Sequence, residues 1–177
     1  KYFNKNIRPC LPKTPITLGV IGQLRYQTFV DLIKAAHNHQ PKNFQIYIYG
    51  EGPKVKEVKH LFDGNFIRYF GSFTYPQDLN KIYSAVDYSY VVYPNTEINV
   101  RLALPNKLYE SIYFRKPIIV SDLTALSKTV IKYNLGKSFC SNNSHKLITF
   151  LSSKEAVDLH SEFVRSIEKV PKEFYIE

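Results

Sequence analysis

Short apolar runs alternate with helical patterns along most of the chain. The first run, Ile16–Ile21, is almost entirely apolar and predicts a buried strand. In residues 28–39, apolar side chains recur every three or four positions, which is the period of one helix face. The segment Phe44–Tyr49 alternates instead and ends at a Gly-Glu-Gly-Pro turn, so it predicts a second strand.

The same alternation continues towards the carboxyl end. Strands that alternate with helices over short connections favour an α/β fold, a Rossmann-like open, mainly parallel sheet with helices on both faces. Ligands of such sheets bind beyond the carboxyl ends of the strands, so the loops there are the candidates for function. The further predicted strands are 66–70, 88–93, 117–120 and 137–140, and the further helices are 54–62, 76–85, one from 105, 124–133 and one or two at the end.

The 177 residues suffice for one domain with a sizeable core. We predict a linker or interdomain segment at residues 1–15, a Rossmann-like binding domain at 16–152 and a C-terminal helical extension at 153–177. No apolar run approaches the roughly 18 residues that a membrane-spanning helix needs, and no signal peptide is apparent. Because the chain begins with Lys rather than Met, we expect it to be a fragment or a processed product.

The formal net charge is +9, and the 24 lysines and arginines are spread along the chain without a block of five or six. We therefore favour phosphorylated small molecules or an anionic membrane surface over nucleic acid as partners. Cys10 and Cys140 lack metal-ligand spacing, and the five histidines form no zinc pattern. We expect two free thiols in a reducing compartment and no metal.

The most informative stretch is Leu-Pro-Asn-Lys-Leu-Tyr-Glu at residues 104–110, shortly before the apolar run at 117–120. Pro105 suits the first position of a helix, because its missing N–H would be unpaired there anyway. The next three N–H groups would then point out of the helix start without internal partners, which favours a bound phosphate. They belong to Asn106, Lys107 and Leu108.

Two side chains add chemistry to this helix start. Lys107 brings a full positive charge to the place where phosphate would bind. Glu110, one turn later, repels phosphate but can accept two hydrogen bonds from vicinal hydroxyls such as those of ribose. Phosphate beside ribose predicts a nucleotide site.

Other chemistries find little support in the sequence. It contains no Ser-His-Asp order, no Gly-x-Ser-x-Gly elbow and no phosphate loop that ends in Gly-Lys-Ser or Gly-Lys-Thr, which disfavours hydrolase and ATPase functions. The 14 tyrosines, Tyr83 among them, are interpreted as parts of strands and helices rather than as a carbohydrate platform. The glycines of the Gly-Glu-Gly-Pro turn are attributed to the turn itself.

Several motifs occur in a characteristic order over residues 16–140. That order resembles the carboxy-terminal, donor-binding domain of retaining GT-B glycosyltransferases of group 1, especially those of bacterial capsule and surface polysaccharide assembly. The strongest element is the helix at 105–110 with the strand that follows it. The motifs are Gly-Gln-Leu-Arg at 22–25, Leu-Ile-Lys-Ala at 32–35, Gly-Glu-Gly-Pro at 50–53, Phe-Gly at 70–71, Asp-Leu at 78–79, Pro-Asn-Lys-Leu-Tyr-Glu at 105–110 and Lys-Pro-Ile-Ile-Val-Ser at 116–121.

The resemblance implies that Glu110 is the second glutamate of the family's pair, which holds the ribose hydroxyls of the nucleotide sugar. It also places Lys107 and the helix start at the diphosphate. The first glutamate of the pair would lie eight positions before the second, where this chain has Leu102. Asn99 or Glu97 is the expected substitute for it.

Arg25, after the first strand, resembles the basic residue that draws on the leaving diphosphate. Many relatives carry an arginine and a lysine at positions that hold Gln23 and Thr28 here, so Arg25 is expected to serve in their place. Phe73 falls where such domains seat the nucleotide base. Two positive side chains and a helix dipole aimed at a departing diphosphate would supply electrostatic catalysis.

The function implied is therefore the nucleotide-sugar-binding lobe of a glycosyltransferase that moves a sugar from a UDP- or GDP-sugar to a glycan or lipid-linked acceptor. No cofactor beyond the donor is expected. An amino-terminal acceptor-binding domain would be missing, so the fragment would bind donor but transfer little. Cytoplasmic residence follows, with peripheral contact at the inner face of the plasma membrane. The alternatives are a non-catalytic nucleotide- or phosphate-binding module and one lobe of a nucleotide-sugar epimerase.

Overall fold

The computed structural model describes residue 12, residues 14–171 and residue 174. Most of the predicted linker at 1–15 and Cys10 lie outside the described residues. Six strands form one sheet in which all neighbours are parallel, in the order β3-β2-β1-β4-β5-β6. The strands are β1 Ile16–Ile21, β2 Phe44–Tyr49, β3 Ile67–Gly71, β4 Tyr88–Val91, β5 Ile118–Ser121 and β6 Gly136–Phe139.

Helices connect the strands and cover both faces of the sheet, which confirms the predicted α/β class. A short 3-10 helix, Lys59–Leu61, follows the second α-helix. The α-helices are α1 Gln27–His39, α2 Val55–Val58, α3 Leu79–Ser84, α4 Ile98–Leu102, α5 Asn106–Tyr113, α6 Ala125–Lys132, α7 Ser144–Leu151 and α8 Lys154–Ile167.

The core is divided between the two faces of the sheet. On one face, α1, α7 and α8 pack against β1 and β2, whose alternate side chains Phe44, Ile46 and Ile48 are buried. On the other face, α5 and α6 pack against β5, and α3 packs near the end of β1. All six residues of β1 are buried because this central strand is covered on both sides.

Four predicted segments differ from those observed by more than one residue. The helix predicted at 54–62 is a four-residue α-helix followed by a 3-10 turn, and the strand predicted at 88–93 ends at Val91. The helix predicted from residue 76 begins only at Leu79, because the Asp78 carboxylate accepts the N–H of Thr74 at 2.7 Å and holds a turn there. The loop expected between 93 and 104 contains the short helix α4.

The strand order reverses between β1 and β4, which are neighbours in the sheet although β2 and β3 separate them in the chain. At such a point the following loops run in opposite directions and leave a crevice beyond the carboxyl ends of the strands. The loop after β1 and the segment from β4 to α5 border this crevice. Within the described ranges, no helix has the length and apolar character that crossing a bilayer requires.

Candidate functional site

A cavity of about 190 Å³ opens at the crevice between β1 and β4. The loop after β1, the end of β4, the short helix α4 and the start of α6 all contribute to its wall. Two residues predicted from the sequence, Arg25 and Asn99, therefore face the same space. The lining includes Arg25, Tyr93, Asn99, Pro105, Ser121 and Thr124.

Arg25 is exposed at the rim of this cavity. Its guanidinium donates to the hydroxyl of Tyr26 at 2.7 Å and lies 4.8 Å from the centre of that ring. The Tyr26 ring in turn packs against Tyr93 with 4.9 Å between centroids. Burial raises the pKa of Tyr93 to about 12, with Tyr26 and Glu110 adding to the rise and Arg25 opposing it. The Arg25 guanidinium thus packs on aromatic rings at the mouth of the cavity.

The start of α5 differs in two respects from the prediction. Pro105 has an extended backbone and precedes the helix, which begins at Asn106. The N–H of Leu108 donates to the Pro105 carbonyl at 2.9 Å, so the expectation that this N–H is free was wrong. A tight i to i+3 bond of this kind commonly closes a first turn. In the described backbone, no carbonyl accepts the N–H of Asn106 or Lys107.

Lys107 and Glu110 form an ion pair, with 2.6 Å between Nζ and Oε2. The lysine side chain is 14% exposed and the glutamate 3%. The lysine stem also lies over the end of β1, because its Cε would be 3.5 Å from a Cβ placed on Gly22. The lysine therefore lies beside the loop after β1, where its ammonium neutralises a nearly buried carboxylate, although neither residue is part of the cavity wall.

Tyr83 on α3 is a member of this cluster that the sequence analysis missed. Its hydroxyl donates to Oε2 of Glu110 at 2.8 Å, and its ring stacks on Phe114 with 4.6 Å between centroids. Burial, together with the Glu110 charge and hydrogen bond, raises the pKa of Tyr83 well above its ordinary value. The helical spacing of Leu79 with Tyr83 indicates a buried face of α3, but it does not indicate where the hydroxyl points.

The helix α4 carries the residues proposed to replace the family's first glutamate. Asn99 lines the cavity from α4, and Glu97 is exposed at the position just before the helix. Leu102, at the position of the missing glutamate, is 71% exposed and is not part of the cavity wall. Of these three positions, Asn99 alone borders the cavity.

The departures after β1 have a structural explanation. Thr28 is buried in α1, and its hydroxyl donates to the Val92 carbonyl at 2.7 Å, so this position ties α1 to the end of β4. Gln23 is exposed in the loop. Phe73 is half-buried after β3 and packs on the cluster that contains Tyr83. Within residues 14–171, no three His, Cys, Asp or Glu side chains are grouped as metal ligands would be.

Comparisons with known proteins identify the family of the chain and relate its fold to solved structures. The family model for glycosyl transferases group 1 matches residues 15–151. A search of curated proteins found no match. Among solved structures, the chain is similar to HepE of Anabaena in complex with UDP-glucose, with 16% identity, a TM-score of 0.70, and coverage of 90% of this chain and 44% of HepE.

Two further structures have the same fold. The C-terminal domain of the group 1 family protein LpcC from Francisella tularensis is 15% identical with a TM-score of 0.66, and the match covers 99% of this chain and 96% of that domain. A TarM variant from S. aureus, in complex with fondaparinux, alpha-GlcNAc-glycerol and UDP, is 15% identical with a TM-score of 0.65. This match covers 97% of the chain but only 36% of TarM. The family match spans most of the sequence, and the chain belongs to the glycosyl transferases group 1 family.

Proposed function

We propose that the chain is the donor-binding lobe of a retaining glycosyltransferase that uses a UDP- or GDP-sugar. The acceptor is a glycan or a lipid-linked glycan in surface polysaccharide synthesis, and an amino-terminal lobe binds it. In this proposal the lobe needs no metal. The enzyme resides in the cytoplasm and makes peripheral contact with the inner face of the membrane. Family membership and the UDP or UDP-glucose complexes of TarM and HepE support the donor class.

One observation carries the proposal: cationic and hydrogen-bonding groups from separate elements converge on the crevice between β1 and β4. The N–H groups of Asn106 and Lys107, which no carbonyl of the described backbone accepts, and the Lys107 ammonium come from the start of α5. Arg25 comes from the loop after β1. A diphosphate across the helix start would meet both positive charges, and Glu110, one turn further on, would accept the ribose hydroxyls.

The chemistry needs little more from this lobe than electrostatics. When the bond between the anomeric carbon and the diphosphate oxygen breaks, the electron pair stays on the diphosphate and the sugar becomes cationic. Arg25 and Lys107 would stabilise the growing negative charge, and loss of one such group typically costs about a hundredfold in rate. Asn99 at the cavity wall would contact the sugar or the phosphates, and Phe73 would seat the base.

Calorimetry on the chain tests the proposal with UDP, GDP and the matching nucleosides. We expect Glu110→Ala to weaken binding of the preferred diphosphate about tenfold or more. Arg25→Ala should weaken binding of the diphosphate but leave binding of the nucleoside unchanged, because the guanidinium would contact phosphate. Lys146→Ala is the charge-matched control, since this exposed lysine lies on α7, on the opposite face of the sheet. If neither diphosphate binds and Glu110→Ala behaves as the parent, the proposed function is wrong.

A further inference from the structure

The Glu110 carboxylate uses its two oxygens unequally. Oε2 accepts hydrogen bonds from both the Tyr83 hydroxyl and the Lys107 ammonium. In the described part of the chain, no donor reaches Oε1. One oxygen is therefore held inside the protein while the other retains its capacity to accept. A carboxylate that is to bind a vicinal diol needs this kind of one-sided anchoring, because otherwise it rotates and both contacts loosen.

The two donors to Oε2 differ in how firmly they are held. Lys107 has a flexible stem, lies near Gly22 at the crevice and is partly exposed. Tyr83 is fully buried, and its ring stacks on Phe114 with only 8° between the planes. A diphosphate at the start of α5 would attract the lysine, because the ligand carries more negative charge than one carboxylate. The tyrosine cannot follow it.

The departure of Lys107 would leave a nearly buried carboxylate with a single fixed donor. A buried carboxylate without any hydrogen-bond donor is costly, so the remaining donor matters. Tyr83 suits the remaining role because burial raises the pKa of its hydroxyl, which stays protonated and can donate at any neutral pH. The buried hydroxyls of Ser89 and Ser111 lie near the Tyr83 hydroxyl and oppose part of this rise in its pKa.

We propose that Tyr83 is a positioning residue for ribose recognition. Its hydroxyl holds Oε2 of Glu110 when Lys107 turns to the diphosphate, which leaves Oε1 for the sugar ring of the nucleotide. This inference rests on the proposed function, since it assumes that Glu110 meets ribose and Lys107 meets phosphate. It adds a residue from α3 to a site otherwise built from the loop after β1 and the helices α4 and α5.

The test compares a nucleoside diphosphate with its 2′,3′-dideoxy analogue, and the readout is the ratio of their dissociation constants. We expect the parent to favour the ribonucleotide about tenfold or more, because the analogue lacks both hydroxyls that would donate to the charged carboxylate. Tyr83→Phe should lower this ratio at least threefold and leave binding of the dideoxy analogue unchanged. Adding Tyr83→Phe to Glu110→Ala should change the ratio no further.

Tyr88→Phe is the matched control. It also removes a buried hydroxyl with a hydrogen bond, to the Ala156 carbonyl at 2.7 Å, but on the opposite face of the sheet. It should also lower the free energy of unfolding but keep the parent's ratio of dissociation constants. A partly folded sample changes the calorimetric stoichiometry of both ligands and leaves their ratio intact, so reduced folding does not obscure the result.

The outcomes separate the two proposals. If the parent discriminates between the two ligands and Tyr83→Phe does so equally well, Tyr83 does not position Glu110 and the proposed function stands. If the parent binds the diphosphate but does not discriminate, the ribose role of Glu110 is wrong and this inference fails with it. If the parent binds no nucleoside diphosphate, the proposed function itself fails.

Discussion

Gly50 approaches the backbone of Gly22 so closely that a side chain on Gly50 would have no room. A Cβ atom on Gly50 would lie 2.8 Å from the carbonyl carbon of Gly22 and closer still to its oxygen. Three backbone hydrogen bonds join the same two loops, among them Gly22 N–H to the Tyr49 carbonyl at 2.8 Å. The Gly-Glu-Gly turn therefore serves contact with the loop after β1, which borders the site, as well as the turn itself.

Gly50→Ala is expected to destabilise the protein by about 3 kcal/mol or more, because the methyl group meets fixed backbone and the residue has φ +134°. Gly64→Ala is the control, since Gly64 also has positive φ, +74°, but no neighbour within 4 Å of the added carbon. Its expected cost is about 1 to 2 kcal/mol. Urea unfolding measures both. Equal losses would show that the close approach to Gly22 contributes nothing.

Lys107→Met is expected to lower the free energy of unfolding by about 3 kcal/mol, because it leaves the Glu110 carboxylate buried without a counter-ion. The double variant with Glu110→Gln should recover at least half of this loss, since a neutral amide needs no ammonium. Urea unfolding of the parent, the two single variants and the double variant gives the coupling. A double variant no more stable than Lys107→Met would contradict the assigned pairing.

His160 on α8 makes stability depend on pH. Burial lowers its pKa to about 4, the nearby Lys116 charge adds to this, and its bond with the Asp87 carbonyl opposes it. Between pH 6.5 and about 4 the unfolded chain takes up a proton that the folded chain does not, so stability falls as the pH falls. From pH 7 to 4.5 the loss due to this group is about 2 to 3 kcal/mol.

The measurement is the pH dependence of unfolding for the parent and for His160→Gln, whose amide retains a donor and does not titrate. The variant should lose about 2 to 3 kcal/mol less than the parent over the same interval. Because both proteins contain the same carboxylates, the difference between their curves removes the contribution of those groups to the pH dependence. Parallel curves for the two proteins would show that His160 is protonated equally in the folded and unfolded chains.

Leu102→Glu restores the family's first glutamate at its position in the sequence, and we expect no gain in affinity for the nucleoside diphosphate. The Leu102 side chain is exposed and is absent from the cavity wall, whereas Asn99 is part of it. Asn99→Ala should weaken binding of the nucleotide sugar about threefold to tenfold, since a neutral hydrogen bond contributes about 1 kcal/mol. Calorimetry measures the affinity of both variants for the nucleoside diphosphate and the nucleotide sugar. Tighter binding by Leu102→Glu would mean that α4 turns inward when the donor binds.

The alternation of apolar runs was enough to predict a parallel α/β sheet, because burial on both faces imposes one pattern on strands and another on helices. Boundaries were less predictable where local contacts override propensity, as at Asp78, whose carboxylate delays the start of α3. The five-residue helix α4 is too short for its period to be recognised.

The sequence by itself determined the sheet and placed Lys107 and Glu110 one turn apart, since their spacing within a helix follows from the backbone alone. Only the tertiary structure decided that Thr28 ties α1 to β4 and that Tyr83, 27 residues before Glu110, donates to its carboxylate. Periodicity records which face of a helix is buried. It does not record which polar atoms meet inside, because those contacts depend on how separate elements pack in space.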